Sequence, residues 1–301
     1  MTQPAVIGIG LSIRCTEPNW RDLARNIDAA LEAGVTFIEL PLHQLDIVAG
    51  GNIMRQRLKE VQAITRGRGA RYTLHGHLAI NLMDEVHRLA LHGRVLEANI
   101  EIAAELGAIH LVMHSGFVRA GEAAAIEDAY RRQREALHVA GDAAKAAGVI
   151  ICVENIFEFA GERVTALPGR LAQELAAVGH PSVMATFDLS HGLLHCGMLG
   201  ADFMAEARAL SPLAKHLHVH DSFGRPANFW TFSQTEALAF GAGDLHLPVG
   251  WGSVPFDRIT AECRFPAAVV ANIELQDRYW SELGACIAAT KAFADRIVSG
   301  G

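Results

Sequence analysis

The feature that most constrains the fold is a regular alternation of short apolar runs, rich in β-branched residues, with longer amphipathic segments. Eight strand-then-helix units follow one another, and the strands are continuously apolar, which is typical of parallel strands buried on both faces. The predicted strands span residues 6–12, 35–40, 71–75, 109–114, 149–153, 183–187, 217–219 and 267–273. Since eight parallel strands with intervening helices close a (β/α)8 TIM barrel, we predict this α/β architecture.

The amphipathic segments predict the outer helices of the barrel. They span residues 20–33, 52–65, 84–106, 122–147, 168–179, 201–210, 255–263 and 279–298. The stretch 215–252 shows almost no helical signal. No linker or low-complexity tract divides the chain, and about 250 residues is typical of a barrel, so residues 1–301 are predicted to form a single domain. A doubly wound sheet is the alternative, but Gly8 and Gly10 lie inside the first strand, without the third glycine of a phosphate-binding turn.

Composition argues against several classes of partner. The net charge of −7 supplies no global basic field for nucleic acid or anionic membranes. No apolar stretch reaches the ~18 residues of a membrane span, and the first residues lack the pattern of a signal peptide. The five cysteines form no CxxC pair, which indicates a reducing, cytoplasmic setting. We therefore expect a small-molecule substrate, rather than nucleic acid or a membrane, and leave the oligomeric state open.

Residues that can bind metal end six successive strands. They are His75, His114, Glu154, Asp188, His218 and Glu274. In a barrel these ends converge on one face, where such enzymes place their active sites. A carboxylate that ends a buried strand, as Glu154 and Glu274 do, needs a cation or donors, because burying an unpaired polar group costs roughly 2–7 kcal/mol. The sequence therefore predicts a metal site at the C-terminal face of the strands.

Two further pairs add imidazole and carboxylate groups. His191 follows Asp188 by one short turn, and Asp244 and His246 stand at i and i+2, on one face of an extended segment. Nitrogen and oxygen ligands without thiolate suit Zn²⁺, Mn²⁺ or Fe²⁺. Apart from His220, the remaining histidines are given no such role: His43, His77, His87, His92, His110, His138, His180, His195 and His216.

Taken in order, these motifs resemble the endonuclease IV and xylose isomerase-like superfamily of metal-dependent TIM barrels, which includes AP endonuclease family 2 and the sugar phosphate isomerases and epimerases. The resemblance covers nearly the whole chain. It is carried by LHGHLAINL at His75, LVMHSG at His114, VENI at Glu154, FDLSH at Asp188 and His191, LHVHDS at His218, GDLHLPVGWG at Asp244 and His246, and NIEL at Glu274.

The endonuclease IV-like pattern implies nine metal ligands, and all nine are matched: His75, His114, Glu154, Asp188, His191, His218, Asp244, His246 and Glu274. By this resemblance, His75 and His114 hold one ion, and Glu154 bridges it to a second. The second ion is also held by Asp188, His218 and Glu274, and the third by His191, Asp244 and His246. The isomerase and epimerase branches imply a single ion, so we expect one to three Zn²⁺ or Mn²⁺ ions per chain.

Two enzymatic functions follow from these alternatives. We favour metal-assisted hydrolysis of a phosphoester in a small phosphorylated or sugar-type molecule, because the Asp244 and His246 pair has no obvious task in a one-ion enzyme. Glu154 would then bridge the ions, and Glu274 would orient the attacking water. The alternative is isomerisation or epimerisation of a sugar or sugar phosphate, in which Glu154 and Glu274 act as acid and base.

Substrate contacts are predicted at His220, Arg225, Trp230 and Trp251. Arg225 is a candidate phosphate contact, and the two tryptophans could cover a sugar face. An abasic-site endonuclease is less favoured, since Leu78 stands where a DNA-inserting tyrosine is expected by resemblance. A non-catalytic metal-binding barrel is a further alternative, which the complete ligand set disfavours.

Overall fold

The barrel is the central feature of the structure, a computed structural model that describes residues 5–159 and 162–300. Eight parallel strands close on themselves, with helices between them, which confirms the predicted (β/α)8 TIM barrel. The strands are β1 (Val6–Ser12), β2 (Phe37–Pro41), β3 (Arg71–His75), β4 (Ala108–His114), β5 (Ile150–Glu154), β6 (Val183–Asp188), β7 (Ala214–Val219) and β8 (Val269–Ile273). Each strand pairs with the next along the chain, and β8 pairs with β1.

Ten α-helices lie in the described part of the chain. They are α1 (Leu23–Glu32), α2 (Arg55–Thr65), α3 (Val86–Glu105), α4 (Ile126–Ala147), α5 (Pro168–Val178), α6 (Leu189–Leu199), α7 (Phe203–Leu210), α8 (Gln234–Phe240), α9 (Phe256–Glu262) and α10 (Leu283–Ala294). Among the residues described, no helix combines the length and the apolar character needed to cross a membrane.

Two of these helices were not predicted. The α6 helix begins directly after Asp188, whose carboxylate accepts a hydrogen bond from the His191 amide at 2.7 Å and caps the helix. Most of α6 is buried and apolar, so its sequence lacks the amphipathic pattern that marks a surface helix. The α8 helix lies in the stretch expected to lack helix, and that expectation was wrong. Ser233 caps α8 by accepting a hydrogen bond from the Glu236 amide at 3.3 Å.

The barrel interior contains a layer of polar side chains. Glu39, Thr73, His216 and Asn272, which we call the lower layer, are each at most 1 % exposed. Thr73 and His216 stand two residues before the strand positions of His75 and His218. Because side chains two apart on a strand share a face, the lower layer lies under the residues of the barrel mouth.

Two short antiparallel pairs lie outside the barrel. Phe117–Arg119 pairs with Arg163–Thr165, which joins the segments that follow β4 and β5. Val48–Ala49 pairs with Asn52–Ile53. The predicted start of α2 at residue 52 was wrong, because Asn52 and Ile53 belong to this second pair and the helix begins at Arg55.

Candidate active site at the barrel mouth

All nine predicted metal ligands meet at the C-terminal ends of the strands. His75, His114, Glu154 and Asp188 are the last residues of β3 to β6, His218 is next to last in β7, and Glu274 directly follows β8. Seven of the nine line a cavity of about 400 Å³, which we call the polar cavity: His75, His114, Glu154, His191, Asp244, His246 and Glu274. The other two, Asp188 and His218, are fully buried.

One atom, Nδ1 of His218, is the point on which the inner part of the site converges. It lies 3.3 Å from Glu154 Oε1, 3.5 Å from Glu274 Oε2 and 3.7 Å from Asp188 Oδ2. We call Glu154, Asp188, His218 and Glu274 the inner cluster. Their side chains come from β5, β6, β7 and the residue after β8, so four neighbouring strands set their positions.

Two histidines extend the inner cluster toward β3 and β4. Nε2 of His75 lies 3.3 Å from Glu154 Oε2, and Nε2 of His114 lies 3.7 Å from the same oxygen. Glu154 therefore presents one oxygen to His218 and the other to this pair. The two oxygens thus face different groups of ligand atoms, and the metal-bridging role that the resemblance implied for Glu154 stays a prediction.

A second group of ligand atoms lies further out. Nε2 of His191 and Nε2 of His246 lie 3.3 Å and 2.9 Å from Asp244 Oδ2. The ring of His220 stacks on that of His246 at 3.9 Å, and its Nε2 lies 3.0 Å from Asp188 Oδ2. We call His191, His220, Asp244 and His246 the outer cluster; one ligand atom from each lies within 4.8 Å of the others.

Asp221 helps to hold the loop that carries Asp244 and His246, two of the four residues of the outer cluster. Its carboxylate accepts hydrogen bonds from the amides of Gly250 at 2.9 Å and Val254 at 3.1 Å, and its backbone pairs with Leu247. Gly252 packs so closely that an added Cβ would lie 2.3 Å from Asp221 Oδ1. The loop from Asp244 onward is thus held by hydrogen bonds to Asp221 and Ser222 rather than by pairing within the barrel.

Charge interactions in the inner cluster outweigh the effect of burial. Burial alone lowers the pKa of His218, but Glu274 and Glu154 raise that pKa well above its ordinary value. Burial raises the pKa of Glu154, but His218 and His114 hold it well below its usual range. For His114, burial dominates and lowers the pKa to about 4, which leaves a neutral imidazole suited to metal binding.

The outer cluster behaves in the same way. Burial lowers the pKa of His246, but the neighbouring Asp244 carboxylate outweighs burial and raises it to about 9. Asp244 in turn is kept ionised, because His246 and His191 lower its pKa despite its burial. In each cluster, a carboxylate with a lowered pKa thus lies beside an imidazole with a raised pKa, Glu154 beside His218 and Asp244 beside His246, and a bound divalent cation could replace the positive charge of that imidazole.

Unsatisfied buried atoms test whether these residues suit a metal ion. Five buried ligand atoms have no correctly oriented hydrogen-bond partner among the described residues: Glu154 Oε2, His191 Nδ1, His218 Nδ1, His220 Nδ1 and Asp244 Oδ1. Buried polar atoms are rarely left in this state. Since these are nitrogen and oxygen donors without thiolate, the site fits a divalent ion such as Zn²⁺ or Mn²⁺.

The sequence prediction missed Glu39, which lies directly under the inner cluster. Its Oε1 accepts a hydrogen bond from Ser12 Oγ at 2.8 Å and from Asn272 Nδ2 at 3.1 Å, and lies 3.2 Å from His218 Nε2. Its Oε2 lies 3.1 Å from His216 Nε2. The signal was present, because Glu39 in FIELP is a carboxylate near the end of an apolar strand, like Glu154 and Glu274.

Two histidines that the sequence analysis set aside also join the site. His216 belongs to the lower layer, and His43 lines the polar cavity, with its ring 5.5 Å from that of His75. Burial lowers the pKa of His43 to about 4, so its imidazole is neutral. His43 stands in a turn after β2 and His216 mid-strand, positions that the strand-end criterion did not cover.

Of the four predicted substrate contacts, only His220 lies in the candidate active site. His220 is buried in the outer cluster. Arg225 donates a hydrogen bond to the Phe240 carbonyl at 3.1 Å, Trp230 contacts Phe232 with its ring tilted by 60°, and Trp251 packs edge-on against Tyr279. Arg225, Trp230 and Trp251 do not line the polar cavity, so the structure supplies no contact in support of their predicted role.

The family of the chain is shown by its sequence. The model of the xylose isomerase-like TIM barrels matches residues 27–297. The chain belongs to this family. None of the curated proteins matches the sequence.

Solved structures of the same architecture are similar over nearly the whole length of this family member. A D-tagatose 3-epimerase-like protein is 16% identical, with 95% of this chain and 97% of that chain covered and a TM-score of 0.70. The D-psicose 3-epimerase of Clostridium cellulolyticum H10, solved with D-tagatose, is 14% identical over 98% and 100%, with a TM-score of 0.67. The IOLI protein, solved with a zinc atom, is 13% identical over 96% and 98%, with a TM-score of 0.67.

Proposed function

We propose that the protein is a divalent-metal-dependent epimerase or isomerase of a small hydroxyketone or sugar, with Glu154 and Glu274 as its acid and base. One observation carries the proposal. The two carboxylates approach the same His218 nitrogen, at 3.3 Å and 3.5 Å, from strand ends separated by β6 and β7, and both line the polar cavity. At about 400 Å³ this cavity falls at the small end of the range for ligand sites, about 300–1,000 Å³, and suits a monosaccharide-sized molecule.

The proposed reaction moves one proton on and off a carbon next to a carbonyl group. One carboxylate removes the proton, and the electron pair of the C–H bond shifts to the carbonyl oxygen to give an enediolate. The other carboxylate returns a proton, to the opposite face for epimerisation or to the neighbouring carbon for isomerisation. A divalent ion, when bound, would polarise the carbonyl and hydroxyl oxygens of the substrate. Asp188 and His218 would hold that ion together with the two glutamates.

The comparisons support this choice at the level of architecture. The structural neighbours include a D-tagatose 3-epimerase-like protein, a D-psicose 3-epimerase and an L-ribulose 3-epimerase. Identities of 15% to 16% carry the fold and not the substrate, so the assignment to this chain depends on its own two carboxylates. The hydrolysis favoured from the sequence has no counterpart among these neighbours.

Hydrolysis of a phosphoester is a second candidate because of one observation. The outer cluster brings His191, Asp244 and His246 together with ligand atoms facing one another, as a multinuclear site requires. The metal content of purified protein separates the candidates. We expect one tightly bound ion per chain for the epimerase, whereas three ions per chain would favour hydrolysis.

The direct test is incubation of the metal-loaded protein with a panel of ketoses and aldoses in deuterium oxide. We expect deuterium to appear by NMR at the carbon whose configuration or carbonyl position changes, because the proton exchanges with solvent at the enediolate stage. Phosphorylated and unphosphorylated sugars are compared in parallel. The proposal is wrong if no sugar exchanges a proton while a phosphoester in the same panel is hydrolysed.

A further inference from the structure

A second cavity, of about 290 Å³, adjoins the polar cavity and has no task in the proposed reaction. Apolar side chains from the segments after β3, β4 and β5 form most of its wall, and we call it the apolar cavity: Leu78, Ile80, Phe117, Ile156, Phe157 and Phe159. The two cavities share Leu78, His114, His191 and Asp244. A molecule bound at the predicted metal ligands can therefore extend into the apolar cavity.

The walls of the apolar cavity are held in place by contacts of their own. Phe117 lies in the short strand that pairs with Arg163–Thr165. The guanidinium of Arg163 lies 4.5 Å from the ring centre of Phe117 and 5.1 Å from that of Phe159, so it covers both rings. Phe157 packs edge-on against His191, with ring centres 5.2 Å apart. The aromatic wall is thus tied directly to a residue of the outer cluster.

The exposure of the wall points to a ligand. Ile80 and Ile156 are buried, but Leu78 and Phe159 are each 45% exposed at the rim. Apolar side chains grouped around a concave surface mark a binding site more often than they occur by chance. An apolar cavity of about 150 Å³ is enough to hold benzene, so this one has room for a six-membered ring.

The chemistry of the wall opposes a fully hydroxylated ligand. Ser115 is the hydroxyl-bearing residue of this wall, and its Oγ lies 3.3 Å from Thr165 Oγ1, within hydrogen-bond distance. A sugar hydroxyl that entered among the phenylalanines would lose its water and would find polar partners only at the edge of the cavity, chiefly the Arg163 guanidinium. An apolar ring has no such penalty, and aromatic rings also gain from edge and offset contacts with phenylalanine.

We propose that the substrate is a hydroxyketone with two unlike ends, whose polar head lies between Glu154 and Glu274 while an apolar group of aromatic size occupies the apolar cavity. This inference depends on the proposed function, because the head is the part that reacts. It narrows the substrate class from free sugars to hydroxyketones or keto sugars that carry an aryl or similar apolar substituent.

Hydroxyacetone and 2-hydroxyacetophenone test the inference, since they share one hydroxyketone head and differ only by methyl against phenyl. Calorimetric titration of the metal-loaded protein should show the phenyl compound binding at least about tenfold tighter, as burial of a phenyl group predicts. Phe157→Ala and, separately, the rim variant Phe159→Ala should each lower this ratio at least about threefold. Phe229→Ala, on another loop and also exposed, is the matched control and should leave the ratio unchanged.

The outcomes separate this inference from the proposed function. NMR in deuterium oxide follows exchange of the CH₂ protons of both probes, which tests the function alone. Exchange of both probes with equal affinities would overturn the apolar cavity as a substrate site and keep the function. If Phe157→Ala and Phe159→Ala both keep the wild-type ratio of the two affinities, the apolar cavity is likewise not the substrate site. Failure of both probes to bind or exchange would overturn the two proposals together.

Discussion

The inner and outer clusters contain the same kinds of side chain but are built by different parts of the fold. The inner cluster stands on the ends of hydrogen-bonded barrel strands, and two of its members, Asp188 and His218, are fully buried. The outer cluster stands on the first turn of α6, on the residue after β7 and on a loop. The side chains of Asp244 and His246 in that loop are each 23% exposed.

The two clusters differ in how firmly the backbone holds their residues. Parallel pairing of neighbouring strands fixes the inner cluster, because the register of the barrel sets where each strand ends. The outer loop depends on Asp221, and His246 has a φ of 45°, a left-handed conformation that non-glycine residues seldom adopt. We infer that the inner cluster performs the proton transfer and that the outer cluster adjusts it.

The largest expected effect is on the two glutamates of the inner cluster. Glu154→Gln and Glu274→Gln should each lower turnover by about 10²- to 10⁴-fold, because each removes a group that accepts or donates the transferred proton. Turnover of the substrate identified by deuterium exchange is the measurement. Glu158→Gln is a nearby control that does not line the polar cavity, and it should retain turnover. Near-normal turnover in either active-site variant would contradict the roles given to these carboxylates.

A second effect is expected from Glu39, which supports the inner cluster from below. Both of its oxygens face donors or imidazoles, so glutamine, with one oxygen and one NH₂, cannot serve them all. Glu39→Gln should weaken metal binding about 10- to 100-fold, as loss of a group that orients a ligand does. Competition with a metal chelator measures the affinity.

The control for Glu39 is Glu174→Gln, another buried carboxylate, which pairs with Arg134 and Arg170 outside the barrel mouth. It should lower the melting temperature without weakening metal binding. If Glu39→Gln and Glu174→Gln lower stability equally and neither changes the metal affinity, Glu39 serves the fold alone.

A smaller effect on turnover is expected from the outer cluster. The double variant Asp244→Ala/His246→Ala should lower epimerisation by less than about tenfold, equivalent to about 1.4 kcal/mol, since neither residue belongs to the inner cluster. Turnover and metal content are measured on the same preparation. Loss of an ion together with a more than 10³-fold drop in turnover would show that the outer cluster is as important for the reaction as the inner cluster. That result would favour a multinuclear hydrolase.

The smallest changes in turnover and affinity are expected from substitutions in the loop after β7. Trp230→Ala and Arg225→Ala should change turnover and affinity by no more than about twofold, because changes of about 0.5 kcal/mol are usual for surface residues without a site contact. Steady-state kinetics with the substrate identified by deuterium exchange is the measurement. A rise in KM of tenfold or more for either variant would restore the substrate contact predicted from the sequence.

The barrel was predictable because its signal is local and repeated. Continuous apolar strands and amphipathic helices recur along the chain, and the boundaries of β3 and α4 differ from prediction by at most a few residues. The missed helices α6 and α8 lack that signal: α6 is apolar on most sides, and α8 is a short helix in a loop. Helix prediction from periodicity fails where burial is complete or the segment is short.

By itself, the sequence determined which residue types end each strand, and hence that His75, His114, Glu154, Asp188, His218 and Glu274 face one mouth, because strand direction alone brings them there. Only the tertiary structure decided the contacts between elements far apart in the chain. In the structure, Glu39 lies under His218, Arg225 and Trp230 do not line the polar cavity, and the polar and apolar cavities share lining residues. Such contacts depend on barrel register and loop packing, which no local sequence pattern encodes.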